Sequence, residues 1–308
     1  MLKKKLLRKG LFAMAMLIIL AAVHATGAQL DVTATKTSNS DTALQWISFD
    51  ENLLQFEGLT EFTAAEAPQI VLRKEAMQFA NGYLARKSDL LDRIKEKNPK
   101  YFRIMDSVLR KYDLPVELKH LAIIESELNT KARSHVGAVG PWQFMATTAR
   151  LLSLKVTAKY DERTHFYKST VAAAKYLRDL HRLFDDWLLV IAAYNSGPGP
   201  VYKAIKKSGS RNFWKLQHFL PAETRDHVKK FISTHYYYEG KGSITTLTKA
   251  EAATHRKKMI AFADKHNQLL KQQQLLTAAT ADTSDNNTNK EEKAGTAPIT
   301  LVALRPQE

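Results

Sequence analysis

Glu125 occupies a slot that packing alone would give to leucine, and this makes it the first candidate in the chain for proton chemistry. At about 100° per residue on a helical wheel, Leu114, Leu118, Leu121 and Leu128 gather on one face, and Glu125 falls in its middle. Glu127 points almost the opposite way, beside Val116 and His120. A carboxylate among leucines is costly to ionise, so burial favours the protonated form that a general acid needs. The alternative is a carboxylate at a helix end that turns to solvent or pairs with a cation such as Arg133, because structural ion pairs also occupy such positions.

Two further clusters follow Glu125. In Ala132-Arg133-Ser134-His135-Val136-Gly137-Ala138-Val139-Gly140-Pro141-Trp142-Gln143-Phe144-Met145, two glycines permit a tight loop and Pro141 is expected to open a helix. Trp142, Gln143 and Phe144 combine aromatic faces with an amide, the side chains that receive sugar rings and their polar substituents. They equally suit a buried core with a loop-bracing amide. In Ala192-Ala193-Tyr194-Asn195-Ser196-Gly197-Pro198, one helix ends in Asn/Gly turn chemistry and the next starts at Pro, which sets Tyr194 and Asn195 at a helix end.

The elements that must position these residues read as all-α. Three- and four-residue apolar spacing predicts helices over 70–86, 88–97 and 99–112, then near 115–128, 141–152, 169–183, 186–194, 198–207 and 222–238. Asn98-Pro99 and Asp113-Leu114-Pro115 supply stop and start signals. A polar helix over about 248–274 follows, then Thr, Ala, Asp and Asn in low complexity, expected to be disordered. The resulting division is a signal peptide (1–28), a linker or strap (29–65), an N-terminal helical extension (66–113), a catalytic domain (114–240), a C-terminal polar helix (241–276) and a tail (277–308).

Composition narrows the compartment. Lys3, Lys4, Lys5, Arg8 and Lys9 precede an apolar run from Leu11 to Val23, a secretory layout with cleavage expected after Ala28 or Ala25. The run is shorter than the roughly 20 apolar residues of a membrane span, although an uncleaved anchor is the competing reading. The formal net charge is +15, and removal of the leader leaves +10. That excess suits a polyanion, and for an exported chain favours a cell wall or membrane surface over nucleic acid. The chain has no Cys, so disulfides, thiolate nucleophiles, Cys-based zinc sites and a thioether-linked lipid are all excluded.

In the order Glu-Ser, Gly-x-Trp-Gln-Phe, Ala-Tyr-Asn-x-Gly, with Leu220-Pro221-Ala222-Glu223-Thr224-Arg225 after them, the motifs resemble the family 1 soluble lytic transglycosylase (SLT) domain. Among its members the membrane-bound lytic murein transglycosylase D group is most similar. The resemblance covers about 114–240 and includes the helix beginning Ser169-Thr170-Val171-Ala172. It implies a mainly α, lysozyme-like catalytic domain with Glu125 in the catalytic position. The expected reaction cleaves the β-1,4 bond between N-acetylmuramic acid and N-acetylglucosamine of peptidoglycan, closing the muramic C6 hydroxyl onto C1. A lone carboxylate suits this chemistry, whereas the usual glycoside hydrolase needs two. The implied partner is the glycan strand and the implied location the periplasm or cell envelope of a bacterium; no cofactor or metal is implied.

By the same resemblance Ser134, Gln143, Met145, Tyr194 and Asn195 match residues that line the sugar cleft. The fourth motif departs from the family, which commonly has Tyr where this chain has His227. Either His227 substitutes as a polar partner of Glu125, or the glutamate is held differently, or the pH optimum shifts. Two other functions compete: a hydrolase of the same fold, and a catalytically silent peptidoglycan-binding scaffold. No nucleic-acid motif accompanies the charge, and no His-Glu-x-x-His occurs.

Overall fold

The computed structural model describes residues 67–285, with side chains to residue 276. The expected leader and strap lie outside the described residues. The described residues divide into two compact units at the boundary between Lys257 and Lys258. Among the described residues no strand forms, and only isolated bridges occur at Arg133 with Val139, Val139 with Phe144, and Val156 with Asp161. The all-α expectation holds.

The α-helices among the described residues are α1 Lys74–Lys97, α2 Pro99–Lys111, α3 His120–Ser126, α4 Ala146–Leu151, α5 Phe166–Phe184, α6 Trp187–Ser196, α7 Pro198–Ser208, α8 Phe213–Leu216, α9 Ala222–Glu239 and α10 Lys249–Asp285. Helix α6 is the axis of the first unit. Every residue from Trp187 to Ala193 is buried, as a helix apolar on all sides must be. Asp186 caps it by accepting from the Leu188 and Leu189 amides, filling orphan donors of the first turn. Helices α5, α7 and α9 surround it, and α9 also packs along α1, whose Ala76, Ala80, Leu91 and Ile94 face inward.

Several expected boundaries shift. The segments expected at 70–86 and 88–97 are one continuous α1, because Lys87 and Ser88 include no helix breaker. The helix expected over 115–128 is a 3-10 turn, Val116–Lys119, followed by the short α3. It ends because Glu127 and Leu128 adopt left-handed backbone angles, φ 57° and 63°. Pro141 does not open a helix: residues 141–143 form a turn in which Gln143 has φ 48°, and α4 starts only at Ala146. Helix α8 was missed, since four residues are too short for a period to show. Helix α10 runs to Asp285, into the expected tail.

Candidate active site

Helix α3 carries Glu125 at its last turn, anchored by Leu118 and Leu121, which are wholly buried. The Glu125 side chain is 15% exposed, and its Oε1 lies 2.9 Å from Nε2 of His227 on α9. Arg133, the alternative partner from sequence, does not take this place. Glu127 is 54% exposed and 3.8 Å from Lys87. It points outward because the chain has left the helix there, a cause the wheel does not include. His120 is a correction: expected on the outer face beside Glu127, it is 0% exposed. Helix α9 covers it with Phe231, His235 and Tyr238.

The loop after α3 is built on backbone geometry. The Gly140 amide donates to the Ala132 carbonyl, and Val139 and Phe144 exchange both backbone bonds. Gly140 has φ 85°, and a Cβ there would overlap the Arg163 carbonyl. Arg163 is itself buried and donates to the carbonyls of Gly137 and Phe144 while pairing with Asp161 at 2.7 Å. That ion pair, through the Arg163 hydrogen bonds, holds the Asp161 carboxyl below the usual range. Nothing in the sequence flagged Arg163, because its loop contacts join residues about twenty positions apart.

Four side-chain hydrogen bonds then close a ring that runs through Glu125. His227 of α9 meets Glu125 of α3. Thr224, one turn earlier on α9, donates its Oγ1 hydrogen to Asn195 Oδ1 at 2.9 Å at the end of α6. Tyr194, beside Asn195, donates its hydroxyl to the Trp142 carbonyl at 2.8 Å. Ser126, beside Glu125, donates to the Pro141 carbonyl at 2.8 Å. Burial, then the Glu125 charge, then Tyr176 push the Tyr194 hydroxyl well above its ordinary range, which keeps it a donor. Thr224 and Ser126 stood in quoted motifs, but only the fold shows what they hold.

The remaining expected residues divide. Gln143 gives its amide hydrogens to the carbonyls of Gly140 at 2.8 Å and Ala132 at 3.4 Å, so its NH2 end braces the loop. Ser134 accepts from the Ala138 amide at 2.9 Å and serves the same loop. Met145 flanks α4 and is 42% exposed. Trp142 and Phe144, offered as sugar-facing aromatics, belong to the core. Trp142 is 0% exposed with Nε1 donating to Thr170 at 3.0 Å, and Phe144 packs against Tyr176 and Tyr194. Among the described residues no group of three or more His, Asp or Glu could hold a metal ion.

The arrangement offers one carboxylate, an imidazole on one of its oxygens, and amide and hydroxyl groups on the flanking segments. Glu125 Oε2 takes no hydrogen bond from the described residues and is not sealed from solvent. A half-buried acid with one oxygen held and one free can exchange a proton with a bound substrate.

Parts of this chain are similar to known proteins. Residues 105–217 match the family model described as the Transglycosylase SLT domain, a span that includes Glu125, Tyr194 and Asn195 and stops before Thr224 and His227. Membrane-bound lytic murein transglycosylase D of Escherichia coli K12 is 41% identical over 156 residues, covering 49% of this chain and 34% of that protein. A putative tributyltin chloride resistance protein of Alteromonas sp. strain M-1 is 38% identical over 130 residues, 42% of this chain and 63% of that one. The chain thus spans about a third of the length of the transglycosylase D it matches. The 70 kDa soluble lytic transglycosylase of E. coli is a similar solved structure, with a TM-score of 0.44 at 23% identity over 56% of this chain and 32% of that one. Over residues 105–217, then, this chain is similar to the transglycosylase SLT domain family.

Proposed function

We propose that this chain is an exported peptidoglycan lytic transglycosylase in which Glu125 serves first as acid and then as base. One observation carries the reading: Glu125 is the one carboxylate in the hydrogen-bonded ring, with Oε1 held by His227 and Oε2 free. The SLT-domain match and the relatedness to murein transglycosylase D support the substrate class.

In the proposed reaction the protonated Glu125 donates its hydrogen to the glycosidic oxygen, and the C1–O bond breaks with its electrons leaving on that oxygen. The neighbouring acetamido oxygen of the muramic sugar stabilises C1. The Glu125 carboxylate then takes the C6 hydroxyl proton as O6 bonds to C1, giving the 1,6-anhydro end and returning Glu125 to its acid form. No water is consumed, which is why one carboxylate suffices where ordinary hydrolysis uses two. His227 holds Oε1 throughout. Its Nδ1 is buried without a hydrogen bond among the described residues, so Nε2 is the nitrogen through which the ring meets a partner.

Asn195 and Gln143 orient the sugar, with Tyr194, Thr224 and Ser126 holding the walls and Ser134 and Met145 on the flanking loop. We assign the catalytic domain to 114–240, preceded by a helical extension and an export signal, and place the protein in the bacterial envelope. Mass analysis of the muropeptides released from purified peptidoglycan tests the reaction: anhydro products are one water lighter than hydrolysis products. Hydrolysis products, or no release at all, would overturn it.

A further inference from the structure

Between Asp186 and Glu223 the chain has no acidic residue, yet it carries Lys203, Lys206, Lys207, Arg211 and Lys215, all of them exposed. Helix α7 shows how they are arranged. Its Pro198, Val201 and Ala204 are buried. At about 100° per residue Tyr202, Lys206, Lys203 and Lys207 follow one another across the opposite arc. Tyr202 is 37% exposed and rests on Phe184, ring centroids 4.9 Å apart. Arg211 donates to the Phe184 carbonyl at 2.7 Å, so the same residue draws Arg211 in beside the helix.

Neighbouring acids form no ion pair with the lysines of this face, and of its cations Arg211 is the one whose charge acts on Asp186. Asp185 pairs with Lys249, and Asp186 is buried, its oxygens taken by the amides of Leu188, Leu189 and Lys249. Among the described residues none of the five cations makes an ion pair with a carboxylate. The patch also lies away from Glu125. Phe184 precedes the start of α6, whereas Tyr194 lies near its far end, and ten helical residues span about 15 Å.

We propose that the outer face of α7, with Arg211 and Lys215, docks on an anionic phospholipid bilayer. A convex helix face offers no groove for a strand but matches a flat field of phosphate headgroups. Lysine stems and an exposed tyrosine ring are suited to the interfacial layer. Each cation close to such a surface strengthens binding about fivefold. No described helix is long and apolar enough to cross a membrane, so this is surface attachment, and it does not depend on the role given to Glu125.

The chain has no Cys, so a single introduced thiol can be labelled cleanly. A polarity-sensitive fluorophore on Lys207→Cys in the full chain should shift to the blue with vesicles containing phosphatidylglycerol. It should not shift with phosphatidylcholine alone, and high salt should reverse it. The same label on Asn81→Cys, exposed on α1, should stay unchanged, which separates the patch from any binding by the leader. Adding Lys203→Gln, Lys206→Gln and Lys215→Gln should raise the lipid required about a hundredfold and leave turnover of soluble glycan strands unaltered. The proposal is overturned if the Lys207→Cys label does not respond, responds equally to neutral vesicles or keeps its affinity in the triple variant. It is also overturned if the label responds to peptidoglycan sacculi and not to vesicles.

Discussion

Acid should loosen the contact between α3 and α9, and replacing His235 with Phe should remove much of that sensitivity. Helix α3 carries His120 and Glu125, and α9 carries His227 and His235, so the two buried histidines sit in the interface that brings Glu125 to its partner. His120 and His235 are 5.5 Å apart between ring centroids, and neither nitrogen of His120 completes a hydrogen bond among the described residues. His120 Nε2 stops 3.6 Å short of Glu239 Oε1. Burial pushes His235 down to about 4; Lys119 adds to the shift and the Lys241 backbone opposes it. Burial, His235, Lys119 and Lys95 push His120 well below its ordinary value.

Both rings are therefore neutral in the folded protein at neutral pH and gain protons more readily when unfolded. The stability held by His235 is fully present above its unfolded value of 6.5 and is lost as pH falls from there toward about 4. That gap amounts to about 3 kcal/mol. Asp186 acts in the opposite direction. Burial raises it to about 6, so its contribution improves as pH falls through the same range. Comparing two chains cancels that background. Urea unfolding followed by the helical circular dichroism signal, at about pH 7 and about pH 4, should show wild type losing about 3 kcal/mol more than His235→Phe. An equal loss in both chains would refute the reasoning, because a buried neutral His235 could not then be what acid attacks.

Tyr194→Phe removes the hydroxyl bond to the Trp142 carbonyl and should cost about 1 to 3 kcal/mol in urea unfolding, with reduced clearing of a peptidoglycan gel. Gly140→Ala meets both a φ of 85° and the Arg163 carbonyl; a loss above about 3 kcal/mol is expected, seen as a lowered thermal midpoint. His227→Phe keeps the ring shape and removes the bond to Glu125. It should lower kcat by about tenfold or more while KM changes little, and His227→Gln, which restores a donor, should recover part of the loss.

What the sequence made legible was the local part of the site. Glu125 stood out because its neighbours at helical spacing are leucines, and Tyr194 and Asn195 because Gly197 and Pro198 mark a helix boundary. What stayed hidden depends on partners far along the chain. The wheel of α3 placed His120 outside, since it contains nothing of α9, more than a hundred residues later. Trp142 and Phe144 could serve a cleft or a core equally well by composition, and contacts with Thr170 and Tyr176 decided for the core. The start of α4 was misplaced because Pro141 is as compatible with a turn as with a first helical position, and the left-handed Gln143 settles it only in three dimensions. The His227 departure was visible, but its 2.9 Å reach to Glu125 was one of three open readings until the fold brought α9 against α3.

The central claim is that Glu125 exchanges the proton in a reaction that consumes no water. Glu125→Gln keeps the shape and a hydrogen-bonding oxygen at His227 but cannot donate and then recover that proton. Muropeptide mass analysis of purified peptidoglycan, run for wild type and Glu125→Gln side by side, should show 1,6-anhydro products from the first and none above background from the second. Equal product from both chains, or wild-type products that have gained a water, would contradict the account.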